Sequence, residues 1–316
     1  MKSLISRLHF FPAPQMNLKS TILVLVAISG FSASPADSEE AAKPLVFVPA
    51  PPYEFLIEKI AGELVTVKSI CGPNDDPHDY SPTPRQLVEI SSADLLFSGE
   101  LGFESNFFVK VGDGSDAPRS VSLLDGLPLL EGSCDHPSHR PEASDEEKRA
   151  HVHEDLNDPH VWLSPTVLSQ QTGLVAETLK ELLDPSQHAA IDENAAAFRT
   201  ELAEVDRKLK RSLGPLKGTR MYVYHGAFAY FARDYGLEQI AVQIGGRGPT
   251  PKQLINLSKQ AIDDGVKLIF VQPQFDQTSA KALAKTINGK VVSLDPLERN
   301  ILENLRFISD YVIRAK

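Results

Sequence analysis

From about Ser186 to Leu213 the chain runs without Gly or Pro and is rich in Ala, Glu, Leu, Lys and Arg. Its apolar positions Ala190, Phe198, Leu202, Val205, Leu209 and Leu213 recur mostly at three- or four-residue intervals, as one face of a helix requires. At 1.5 Å per residue such a helix spans ~40 Å, long enough to run along two lobes. Gly214, Pro215 and Gly218 then stop it. The fold must accommodate this rod, and a rigid linking helix restricts hinge motion between the bodies it joins.

On both sides of the rod, short β-branched runs alternate with helical patterns. Leu45 to Val48 precedes helix Phe55 to Ala61, Val65 to Ile70 precedes Pro84 to Ser91, and Leu95 to Ser98 precedes a helix around Phe103 to Val111, with Val121 to Leu124 closing the series. The second series starts at Met221 to Tyr224 and continues through helix Phe228 to Tyr235, strand Ile240 to Ile244 and helix Pro251 to Asp264. Strand Leu268 to Gln272, helix Ser279 to Ile287, strand Val291 to Leu294 and helix Ile301 to Ala315 complete it. Such alternation gives parallel sheets flanked by helices, so the fold class is α/β with two lobes. The expected organisation is a leader at 1–36, an N-terminal lobe at 37–185, the linking helix at 186–218 and a C-terminal lobe at 219–316. Ligands of parallel sheets bind beyond the carboxyl ends of the strands.

In the leader, Lys19 precedes the apolar run Thr21 to Phe31, and small residues follow at Ser32, Ala33, Ser34 and Ala36. This pattern reads as a signal peptide cleaved after Ala36, with Met16 as an alternative start. The apolar run is shorter than the ~20 residues of a spanning helix. No cysteine lies between Met1 and Ile70, which argues against a lipid anchor and for a free periplasmic protein. The net charge of -10 disfavours nonspecific binding to nucleic acid or anionic lipid and suits cations. With nine histidines and only two cysteines, any metal must be held by imidazoles and carboxylates.

Three histidines stand just beyond strands or at loop-to-helix junctions. His78 lies in Asn-Asp-Asp-Pro-His-Asp-Tyr-Ser-Pro at 74 to 82, His160 in Asp-Pro-His-Val-Trp-Leu-Ser-Pro at 158 to 165, and His225 follows the strand ending at Tyr224. Asp295 ends the strand Val291 to Leu294 in the same way. Three neutral imidazoles and one carboxylate form a tetrahedral, borderline-soft site suited to Zn(II).

These motifs, with His-Gly-Ala-Phe-Ala-Tyr-Phe at 225 to 231 and Leu-Asp-Pro-Leu at 294 to 297, resemble the cluster A-I metal-binding proteins of ABC transporters, in particular the zinc-type ZnuA group. The resemblance spans the mature chain. It implies a C-clamp of two lobes on a backbone helix, a metal in the cleft between them, and delivery to an inner-membrane ABC permease. It carries the ligand role onto His78, His160, His225 and Asp295. Some zinc-type relatives leave the fourth place to water or to an acid before the first histidine; here that residue is Pro77, which leaves Asp295 or water. Manganese-type relatives usually carry a carboxylate where this chain has His225, which favours zinc over Mn(II) or Fe(II).

Zinc-type members also often carry a His-rich acidic insertion like the segment at about 131–157, which contains His136, His139, His151 and His153. A weak metal-collecting role and an incidental solvated loop are both open for it. Cys71 and Cys134 can pair in an oxidising compartment, or stay as two buried thiols. The aromatic residues Tyr80, Trp162, Tyr222, Tyr224, Phe228 and Tyr230 flank the candidate ligands and are read as packing that shields the site. Gly245 to Pro249 lacks the Lys-Ser/Thr ending of a phosphate loop and reads as a turn, with Thr250 capping the next helix and Pro251 opening it. The chain is expected to be a monomer and not an enzyme. A secreted zinc hydrolase is the competing class, but no His-Glu-x-x-His helix is present. A surface adhesin is a third class that no residue pattern requires.

Overall fold

The computed structural model describes residues 42–104, 117–132, 157–243 and 247–315. The leader at 1–36, most of the helix expected around Phe103 to Val111 and nearly all of the His-rich insertion lie outside them. The first lobe contains β1 (Leu45–Val48), α1 (Pro51–Ala61), β2 (Thr66–Ser69), α2 (Pro84–Ser91), β3 (Leu95–Ser98) and β4 (Arg119–Ser122). Helices α3 (Pro165–Leu182) and α4 (His188–Leu213) lead to the second lobe. That lobe contains β5 (Arg220–Val223), α5 (Ala229–Tyr235), β6 (Glu238–Ala241), α6 (Pro251–Asp263), β7 (Leu268–Val271), α7 (Thr278–Thr286), β8 (Lys290–Ser293) and α8 (Ile301–Arg314).

Each lobe is built on a four-stranded parallel sheet, ordered β2-β1-β3-β4 in the first and β6-β5-β7-β8 in the second. The two sheets therefore share one topology, and in each the chain direction of winding reverses beside the first strand. The central strands are apolar because helices cover both faces: Val46, Phe47, Val48, Leu95, Leu96 and Phe97 are all buried. The edge strand β2 instead alternates exposed and half-buried residues.

Helix α4 is the expected rod, ~39 Å long from its 26 residues. Its buried stripe is Ile191, Ala195, Phe198, Leu202, Val205, Leu209 and Leu213. Ala190, expected on this stripe, is exposed, and Ile191 fills the place with more apolar area. Phe198 meets Phe55 of α1 edge to face at 6.1 Å, while Asn194 Nδ2 donates to the Ile60 carbonyl at 3.1 Å. From the second lobe, α8 packs on the same helix. A single apolar cluster thus runs from β1 and β3 through α4 to Met221, Phe231 and Leu305.

Strands β5 and β8 begin one residue earlier than expected, at Arg220 and Lys290, and two others shift further. β4 is Arg119–Ser122 rather than Val121 to Leu124, and β6 is Glu238–Ala241 rather than Ile240 to Ile244. Pairing of Leu95 with Arg119 and of Arg220 with Glu238 sets these registers, while Leu123 and Leu124 are buried in the turn that follows. Hydrophobicity marked burial, not pairing. Thr250 caps α6 as expected, accepting from Gln253 N, with Pro251 in the first helical position. Cys71 is a buried free thiol, and Cys134, with which it could pair, lies outside the described residues. Burial among apolar neighbours pushes the Cys71 thiol well above its ordinary range.

Candidate metal centre

The loops after β2 and β5 and the segment that leads into the helical turn Val161–Leu163 bring His78, His225 and His160 together, one ring nitrogen of each lying within 4.8 Å of the other two. His78 and His160 come from the first lobe and its exit toward α3, His225 from the loop after β5. His160 and His225 are buried and His78 is half-buried.

The His78 loop is shaped by its own carboxylates. Asp75 Oδ2 accepts from Gly72 N at 2.8 Å, and Asp76 Oδ1 accepts from His78 N at 2.9 Å, an Asx turn that holds the histidine backbone. Tyr80 stacks edge to face on Phe103 and accepts from Gln86 Nε2 at 2.7 Å, tying the loop's far end to α2.

His160 is held by Asp158, two residues earlier. Asp158 Oδ1 accepts from His160 N at 2.9 Å and from its Nδ1 at 2.8 Å, which makes Nε2 the ring atom able to ligate a metal. Pro159 between them keeps the turn narrow. Tyr230 of the second lobe donates from its hydroxyl to the Asp158 carbonyl and accepts from Leu130 N, both at 2.9 Å. Trp162, one turn on, packs its edge on His160 at 5.2 Å and donates Nε1–H to the Pro296 carbonyl at 2.7 Å across the lobes.

His225 is clasped by two glutamines. Gln272 at the end of β7 accepts from His225 N at 3.0 Å and donates to its carbonyl at 2.9 Å. Gln243 Oε1 accepts from the ring Nδ1 at 2.9 Å. Phe275 stacks on the imidazole with a centroid distance of 4.9 Å. The tautomer is thereby fixed with the proton on Nδ1 and a lone pair on Nε2.

That Nε2 stands 3.0 Å from His78 Nε2. Two imidazole lone pairs at this distance repel unless a proton or a cation lies between them. Tetrahedral Zn–N bonds of ~2.0–2.1 Å place ligand nitrogens ~3.3 Å apart, so the spacing is close to what a shared zinc ion requires. Trp162 packs on His160 and Phe275 on His225, so two of the three rings carry an aromatic neighbour.

Asp295 does not join this cluster. Its Oδ1 accepts from Gln274 Nε2 at 3.0 Å and from Leu297 N at 2.9 Å, and its carbonyl accepts from Asn304 Nδ2 at 2.8 Å. Burial raises its carboxyl above the ordinary range, against the lowering effect of those two donors. Gln274 Nε2 also donates to the Pro73 carbonyl of the first lobe at 2.9 Å, so the Asp295 corner borders the His78 loop. His136, His139, His151 and His153 lie outside the described residues. Of the aromatic residues read as packing, Trp162 and Tyr230 also make polar bonds between the lobes. The sequence reading assigned no role to Asp158, Gln243, Gln272, Gln274 or Phe275. Only Asp158 left a local signal, since an Asp two residues before a histidine can turn back on its ring.

Two α/β lobes on a backbone helix, with imidazoles from both meeting between them, define a two-lobed binding protein whose three histidines could hold a metal ion. The chain belongs to the ZnuA family, described as zinc-uptake complex component A, periplasmic, whose model matches residues 46–312. It is 30% identical over 272 residues to the zinc-binding protein AdcA of Streptococcus pyogenes, which covers 83% of this chain and 52% of that one, about half of AdcA's length. A crystal structure of ZnuA superposes with a TM-score of 0.76 at 32% identity, covering 86% of this chain and 99% of the other. A zinc-bound ZnuA deletion mutant gives 0.75 at 32% identity, covering 86% and 98%. The family is one of periplasmic solute-binding proteins, and among the described residues no helix is long and apolar enough to cross a membrane.

Proposed function

We propose that this protein captures Zn(II) between its lobes and delivers it to an inner-membrane ABC permease for zinc uptake. The observation that carries this reading is the convergence of His78, His160 and His225 with His225 Nε2 facing His78 Nε2 at 3.0 Å. The three convergent donors are imidazole nitrogens, which suit zinc better than the harder Mn(II) or Fe(II). The fourth position is filled by Asp295, once it exchanges a hydrogen bond for the metal, or by water. The zinc-bound state of the ZnuA deletion mutant supports the same cargo. The periplasmic family supports capture in that compartment, where the net charge of -10 suits a cation. Membership in a family of periplasmic solute-binding proteins supports binding and transfer over hydrolysis.

Competition between the protein and a chelator for Zn(II), followed through the emission of Trp162, tests the reading. One tight equivalent is expected, lost in His78→Ala and in His225→Ala, and weakening on acidification because protons compete for the imidazoles. Tight binding that survives both substitutions refutes the site. Equal affinity for Mn(II) refutes the choice of metal.

A further inference from the structure

The two buried imidazoles have unlike partners. His160 Nδ1 donates to a carboxylate, whereas His225 Nδ1 donates to the neutral amide oxygen of Gln243. Asp158 is fully buried, and its Oδ2 has no hydrogen-bond partner. Its charge is therefore concentrated on the oxygen that faces the His160 ring. A carboxylate draws on the Nδ1 proton and raises electron density at Nε2, making that ring the stronger donor to a metal. Hydrogen bonds to a charged acceptor are roughly twice as strong as those to a neutral one. Gln243 sets the His225 tautomer as Asp158 sets that of His160, but without this added basicity.

The arrangement also has a direction. Gln243 follows β6, its backbone N–H donates to the Tyr224 carbonyl at 2.8 Å, and β6 pairs with β5, the strand that ends before His225. Ring and amide are thus parts of one rigid corner of the second lobe. His78 and His160 belong to the other side of the cleft.

We infer that Gln243 is a positioning residue that makes His225 a weaker zinc donor than His160, so that release begins by detaching the ion from the second lobe while His160 retains it. The inference rests on zinc occupying the three-imidazole site. A second carboxylate at 243 equalises the two rings and holds the ion longer. No covalent or redox step is involved; one metal–nitrogen bond breaks before the others.

The test compares zinc release from the full-length protein into excess chelator by stopped-flow for wild type, Gln243→Glu, Gln243→Met and Asp158→Asn. Substitution of such partners typically changes metal affinity by ~10–100-fold. Gln243→Glu is expected to slow release by about tenfold or more, while Gln243→Met and Asp158→Asn speed it. In parallel, 15N shifts of the histidine rings are recorded in the metal-free protein. Gln243→Met is expected to redistribute the His225 tautomer and leave His160 unchanged, a response that a purely structural role does not produce. An unchanged release rate in Gln243→Glu, or an unmoved His225 ring signal in Gln243→Met, overturns the inference. Failure of the site itself has a different signature, tight zinc binding retained in His225→Ala.

Discussion

Glu104 gives a prediction that links burial to pH. Its carboxylate closes the turn after β3, accepting from Ser98 Oγ at 2.6 Å, from Gly99 N at 3.1 Å and from Leu101 N at 2.9 Å. The turn lies against Tyr53, whose ring packs on Trp162, which in turn packs on His160. Only 3% of Glu104 is exposed, and burial, opposed by those donors, pushes its carboxyl up to about 7. In the unfolded chain the group titrates near ~4.3. The folded state therefore binds the proton more tightly, and this contribution to stability is complete below the unfolded value and lost as pH rises through about 7. At about 1.36 kcal/mol per unit, the linkage integrates to about 2–3 kcal/mol between roughly pH 5 and pH 8. Glu104→Gln keeps an acceptor for the backbone amides and removes the titration. Urea unfolding of the chelator-treated protein at both pH values, wild type against variant, isolates Glu104 because the histidines titrate alike in each. The wild type is expected to lose about 2–3 kcal/mol relative to the variant on going to the higher pH. Parallel pH profiles, or a relative gain by the wild type, refute the assignment.

Phe198→Ala empties the contact between α4 and α1 and is expected to cost about 3–5 kcal/mol in denaturant unfolding, since the ring is fully buried in the core shared by the lobes. Thr250→Ala removes the α6 cap and costs about 1 kcal/mol by the same assay, with zinc affinity unchanged. Arg299→Ala breaks exposed ion pairs to Glu54 and Glu58 of α1, and the expected loss is below about 1 kcal/mol and shrinks further in high salt. Saturating zinc raises the unfolding midpoint of the wild type, by an increment that grows with free zinc above Kd and vanishes in His78→Ala.

The linking helix was readable because its evidence is local. A run without Gly or Pro and an apolar residue every third or fourth place specify a helix whatever surrounds it, and α4 begins and ends within two residues of the expected limits. On its buried face the reading took Ala190 for Ile191 and passed over Ala195, choices among nearby apolar residues that only packing distinguishes. The parallel strands were legible as apolar runs, but β4 and β6 moved by two residues because register depends on the neighbouring strand. Of the candidate ligands, the three histidines converge. Asp295 is held back by Gln274, a residue of another loop that no spacing connects to it.

Sequence by itself determined the α/β class, the division into two lobes by one helix, and the identity of the three imidazoles. Each of these follows from periodicity or from a short motif in which side-chain chemistry and chain position are both local. Tertiary structure alone decided what sits behind those imidazoles: a carboxylate two residues from His160, but for His225 an amide contributed by a neighbouring strand. It also decided that His78 and His225, 147 positions apart, meet at 3.0 Å. Hydrogen-bond partners of that kind are chosen by the closing of two lobes onto a common core, a long-range event to which the chain gives no short-range sign.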